Sequence, residues 1–121
     1  MALTGELVSL VLIPRFTTYA GHLDFTSVPL DVTDFDTVGL RVARGPLLGT
    51  GPHCYVYLEG SEGGDDWDQL DSADLSSTDS DALGASITRR LLRVRVSLTT
   101  SDAATTLWCG GTLVRRLAAK S

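Results

Sequence analysis

Apolar and polar residues alternate along this chain with a period of two, the spacing of a strand that buries one face. Val38, Leu40 and Val42 alternate with Gly39, Arg41 and Ala43. Cys54, Val56 and Leu58 alternate with Tyr55 and Tyr57, and Leu92, Val94, Val96 and Leu98 with Arg93, Arg95 and Ser97. Val28, Leu30 and Val32 make a shorter run. Leu7–Ile13 reads as a first strand with Pro14 near its end or at an edge. A further strand is expected near Arg15–Phe25. Ala104–Cys109 and Thr112–Leu117 read as two strands about a Gly110-Gly111 turn.

Ser61–Asp81 interrupts this pattern and is expected to be a long acidic loop, tied to the body through Trp67 and Leu70. Asp81–Ile87 is expected to open with a short helical turn. Helical periodicity is otherwise weak. Seven or eight strands with glycine, proline and aspartate turns predict one all-β domain over residues 1–121. The expected architecture is an antiparallel β-sandwich, jelly-roll-like, with an immunoglobulin-like sandwich as the rival.

Composition narrows the function classes. The chain has 121 residues, 43% of them hydrophobic, and a net charge of −5. The longest nearly apolar run, Leu7–Pro14, is far short of the ~20 residues of a membrane helix, so no membrane partner is expected. The start lacks a basic region and a small-residue cleavage site, so no signal peptide is expected. The protein is then expected to stay in the cell that makes it, or to enter a virion or other particle assembled in its cytoplasm. Two cysteines, Cys54 and Cys109, do not make a disulfide framework. They are expected as buried thiols, with a single bridge left open.

Charge is segregated: residues 59–81 carry nine acidic side chains and no basic one, and residues 82–121 carry seven basic and one acidic. Arg89-Arg90 and Arg115-Arg116 with Lys120 could meet the acidic segment of a neighbouring copy, or balance it within one chain. The acidic balance disfavours nucleic acid.

Candidate chemistry is sparse. Asp65, Asp66 and Asp68 do not follow the calcium-loop order, and no carboxylate pair has the apolar setting of a glycosidase acid. His53 and Cys54 are adjacent and so face opposite sides of a strand. Neither a G-x-S-x-G elbow nor a phosphate loop occurs. No enzyme activity, cofactor or metal is expected. Arg41, Arg93 and Arg95 with Tyr55 and Tyr57 all point away from the core set. If their strands share a sheet, they form an arginine–tyrosine face, of residue types enriched at protein interfaces.

The stretch Val56–Leu70, VYLEGSEGGDDWDQL, is similar to a strand, LEGS, glycine turn, tryptophan and leucine pattern. That pattern resembles small β-sandwich modules of tailed-phage virion proteins and related sugar-binding-like sandwiches. Pro29–Phe35 and Arg90–Leu98 fit the same layout. An Asp-Gly turn would stand before the tryptophan in the pattern, where this chain has Gly63-Gly64-Asp65-Asp66. The resemblance implies a structural or decorating role, in capsid decoration or as a head or tail component. Its partners would be sister copies or other shell proteins. The alternative is a carbohydrate-binding module using Trp67, Trp108 or Tyr57. Trp67 is expected to be mainly a structural plug at the end of the sandwich.

Overall fold

The computed structural model describes residues 4–117, with side chains over residues 7–15 and 17–115. Two antiparallel sheets pack face to face. The strands are β1 (Thr4–Ala20), β2 (Leu23–Thr26), β3 (Leu30–Asp31), β4 (Thr37–Arg44), β5 (Cys54–Ser61), β6 (Asp68–Asp74), β7 (Ser80–Ser86), β8 (Leu91–Leu98) and β9 (Ala104–Leu117). One sheet runs β1-β9-β4-β7 and the other β2-β8-β5-β6, with β3 also paired to β8. This is the strand order of a jelly roll, and the all-β sandwich expected from the alternation is the fold observed.

The core lies between the sheets. Val38, Leu40 and Val42 of β4 and Leu83 of β7 face Val56 and Leu58 of β5 and Leu92, Val94, Val96 and Leu98 of β8. All are buried, as the alternation required. Cys54 and Cys109 are buried free thiols.

The ends of the chain are built differently from expectation. Leu7–Ile13 and the following residues form one long strand that carries Pro14, accommodated by register shifts between Val11 and Ile13 and between Ile13 and Thr17. Such bulges admit a residue that cannot join the ladder. Gly110-Gly111 is not a turn, because β9 runs straight through it. The glycines stand where β9 lies between β1 and β4, with Gly111 paired to both Leu10 and Leu40. A Cβ at Gly111 would overlap the Gly39 carbonyl oxygen. The pair thus serves close backbone approach, not reversal.

The long acidic loop of residues 61–81 does not exist as such. Asp68–Asp74 and Ser80–Ser86 are strands, so Asp81–Ile87 does not open with a helical turn. β6 and β7 are edge strands. They bury only Ala73 and Leu83 fully, and a polar strand with one buried side chain has no visible alternation. What remains of the loop is a turn over residues 62–67, where Gly64 takes φ +89°.

Candidate functional site

β5 and β8 pair in the centre of their sheet, with Tyr57 opposite Arg95 and Glu59 opposite Arg93. The inner side chains of both strands fill the core, so these four project from the outer face. Glu59 accepts a hydrogen bond from Arg93 Nε at 2.9 Å on one oxygen and from Arg95 Nε at 3.1 Å on the other. Arg95 Nη1 also reaches Asp24 Oδ1 of β2 at 3.3 Å. The Glu59 side chain is only 8% exposed, against 20% for Arg93 and 30% for Arg95. One carboxylate thus sits under two guanidinium groups that shield it from water. Burial works against the Arg95 charge, but the hydrogen bond and charge of Glu59, with Asp24, raise its pKa on balance.

Each arginine also covers an aromatic ring. Arg93 lies 3.9 Å from the Trp67 ring centroid and Arg95 4.2 Å from that of Tyr57. Trp67 is placed by the turn between β5 and β6: Ser61 Oγ accepts from the Gly64 amide at 2.8 Å, and the indole Nε1 donates to Gly64 O at 3.0 Å. It lies half-buried over Arg93 on the sheet face and does not plug the end of the sandwich. Along β5 the rings continue: Tyr55 stacks on His53 with centroids 5.9 Å apart and planes 8° from parallel, and lies 6.4 Å from Tyr57.

Arg41 is not part of this face. It lies on β4 in the other sheet, opposite Gly110, and is exposed on the outer side. Trp108 shares that second face, where it is half-buried with Arg15 4.8 Å from its ring. The expectation that Arg41, Arg93 and Arg95 share a sheet fails because β4 and β8 belong to different sheets.

Sequence reasoning missed Glu59, and weighed His53 only beside Cys54, not with the tyrosines. Both were legible in principle, since His53, Tyr55, Tyr57 and Glu59 are spaced by two and share a face of β5. The pairing with Arg93 needs the register, which sequence alone does not supply.

Two basic residues ahead of β8 make ion pairs within the chain, one of them to the acidic segment. Arg89 pairs with Asp68 at 2.9 Å, and Arg90 reaches Asp31 at 3.5 Å. Arg115 lies 5.3 Å from the Phe35 ring. Lys120 and the Arg116 side chain lie outside the described residues. A shallow hollow lined by Ser61, Glu62, Asp65, Asp66, Asp68 and Arg89 marks the acidic turn. Among the described residues, no three His, Cys, Asp or Glu side chains gather as a metal site.

No protein-family model and no curated protein matches this chain. Solved structures do. A protein of Bacillus endospore appendages, described as disulfide-linked pili, is 16% identical with a TM-score of 0.53, over 98% of this chain and 93% of that one. The Yersinia pseudotuberculosis-derived mitogen is 10% identical with a TM-score of 0.54, over 91% and 86%. The infectious bursal disease virus VP2 subviral particle gives 8% identity and a TM-score of 0.50, over 93% of this chain and 33% of that one. These likenesses show a small β-sandwich fold shared with a pilus protein and a viral capsid protein. None of the three is a tailed-phage protein.

Proposed function

We propose that this chain is a non-enzymatic structural module of a virion or comparable particle assembled in the cytoplasm. It acts through protein contacts, as a decorating domain or a head or tail component. The carrying observation is the Arg93–Glu59–Arg95 cluster with its two covered rings. Its side chains are ordered before any partner arrives, so a partner loses less rotamer freedom on docking there. Arginine with tyrosine and tryptophan is also the residue set of interface anchors. The fold likeness to a pilus protein and a capsid protein agrees with such a role.

The second reading, a carbohydrate-binding module, is favoured by the His53–Tyr55–Tyr57 row. It is weakened by the same geometry that supports the first. Sugars stack on bare ring faces, whereas guanidinium groups lie over Trp67 and Tyr57, and His53 stacks on Tyr55.

Native mass measurement with identification of co-purifying proteins tests the choice. Shell proteins should co-purify, and Arg93→Ala with Arg95→Ala should release these partners while the chain stays folded. A chain that binds no protein but takes up oligosaccharide at millimolar concentration would reverse the order of the two readings.

A further inference from the structure

The free edge of β1 differs from the other sheet margins. Among the described residues β1 ends its sheet, so one side of this strand bonds β9 and the other side carries no strand. Natural edge strands are guarded by charges, prolines, bulges or short length. From Leu7 to Ile13 this edge has none of the first two: the run is Leu-Val-Ser-Leu-Val-Leu-Ile. The guards stand at its two ends: Glu6 precedes the run, the register shift between Val11 and Ile13 breaks its far end, and Pro14 follows.

The side chains along this run are also distinctive. Leu7 and Val11 are 70% and 59% exposed, and Ser9 between them is exposed too. All three project from the outer face, because Leu10 is buried and Val8 half-buried on the core side. The outer edge thus reads large apolar, small polar, large apolar, and is symmetric about Ser9.

We infer that the edge of β1 pairs antiparallel with the same edge of a second copy, about a two-fold axis at Ser9. The inference rests on the reading of the chain as a self-associating structural protein and names the surface that would do it. An open row of backbone N–H and C=O groups is complementary only to another extended strand. The second copy is the occupant because the pattern complements itself. With Ser9 opposite Ser9 of the other copy, Leu7 falls opposite Val11, and Val8 opposite Leu10. Core-facing residues then meet core-facing residues, and the four exposed apolar side chains form two Leu7–Val11 pairs, one on each side of the Ser9 pair. A slip of one residue would place buried positions opposite exposed ones. Pairing ends at Leu12, because the register shift turns the strand and Pro14 has no N–H to offer. The two β1-β9-β4-β7 sheets would then join into one continuous sheet across a closed, isologous contact.

Cross-linking and sedimentation test this. In the proposed register Ser9→Cys brings two thiols together, since directly opposed Cα atoms are about 4.5–5.5 Å apart, within disulfide reach. Mild oxidation should link Ser9→Cys into dimers much faster than Ser86→Cys, which places the thiol on the opposite edge strand β7. Ser9→Lys sets two like charges together and should weaken association of the native chain by about tenfold or more, with an unchanged far-ultraviolet spectrum. A native chain that sediments as a monomer at all concentrations overturns the inference. So does a dimer that persists undiminished in Ser9→Lys, or equal cross-linking of the two cysteine variants. Arg93→Ala with Arg95→Ala should leave β1 pairing intact. Loss of shell-protein binding in that variant, or its absence from the native chain, bears on the functional reading alone.

Discussion

Arg93 lies between Glu59 and Trp67, its Nε donating to the carboxylate at 2.9 Å while its guanidinium covers the indole at 3.9 Å. Two partners of different kind hold one cation. The ring supplies area and a π-face, and the carboxylate supplies charge and a directed bond.

Trp67→Ala removes the ring from over Arg93 and the Nε1–H bond to Gly64 O. Full burial of a tryptophan would make truncation cost 3–5 kcal/mol in general, but Trp67 is only half-buried, so the expected loss is about 2 kcal/mol. Urea denaturation of the variant beside the native chain measures it. An unchanged midpoint would mean the turn does not depend on the indole.

Glu59→Gln leaves Arg93 and Arg95 side by side on a half-buried face with no shared anion. Breaking a buried pair strands the remaining charge, and partial exposure here reduces the penalty to about 2 kcal/mol. Glu59→Gln in an Arg93→Ala, Arg95→Ala background should cost far less. Comparing the two substitutions in a double-mutant cycle reads the coupling directly.

Gly111→Ala should be among the most damaging single changes available. The new methyl would meet the Gly39 carbonyl oxygen and lie 2.9 Å from Leu40 Cα, both backbone atoms of β4 that cannot rotate away. Overpacking of this kind costs about 3 kcal/mol when the backbone must shift. Gly39→Ala, where nothing lies within 4 Å, is the matched control and should be nearly silent. Thermal melting of both variants checks the contrast.

The response to pH has a sign at each end. Hydrogen bonds from Thr33 hold the Asp31 carboxyl below its ordinary range, those from Ser76 do so for Asp74, and those from Thr50 for Asp102. Their stabilisation is present above the unfolded carboxyl pKa of about 3.9 and is lost as pH falls through the lower folded value. Burial pushes the Cys54 thiol up to about 11 and the Cys109 thiol up to about 12. The unfolded chain ionises these thiols first, so stability should decline from about pH 9 upward. Melting temperature should therefore be flat between, falling below about pH 4 and above about pH 9. In the folded protein neither thiol should be alkylated at neutral pH, and both should react in urea. Prompt labelling without denaturant would contradict the burial.

The alternation was a reliable guide where a strand is central. Val38–Val42, Cys54–Leu58 and Leu92–Leu98 each have one face on the core and the other on an exposed or half-buried surface, so the pattern is strong. It failed at β6 and β7, which bury one side chain each fully and leave the rest half-buried or exposed. It also misread Gly110-Gly111, because a glycine pair that permits close strand approach is written like one that permits a turn. The face carrying Arg93, Arg95, Tyr55 and Tyr57 followed from parity within each strand. Assigning Arg41 to a separate sheet required strand order, a long-range property that no local spacing encodes.

The pairing of β1 with β9 sets the order in which this molecule can be made. Thr4 lies opposite Leu117, and β1 pairs within its sheet only with β9, the last described strand, the ladder breaking at the register shifts that skip Leu12 and residues 14–16. During synthesis β1 emerges first and waits, with both edges open, until β9 arrives. Contacts of such sequence separation make closing the sheet a slow step, and the uncharged run of residues 7–14 left unpaired meanwhile is exposed to wrong partners. Refolding from urea should accordingly give a higher yield at an unchanged rate as the chain is diluted.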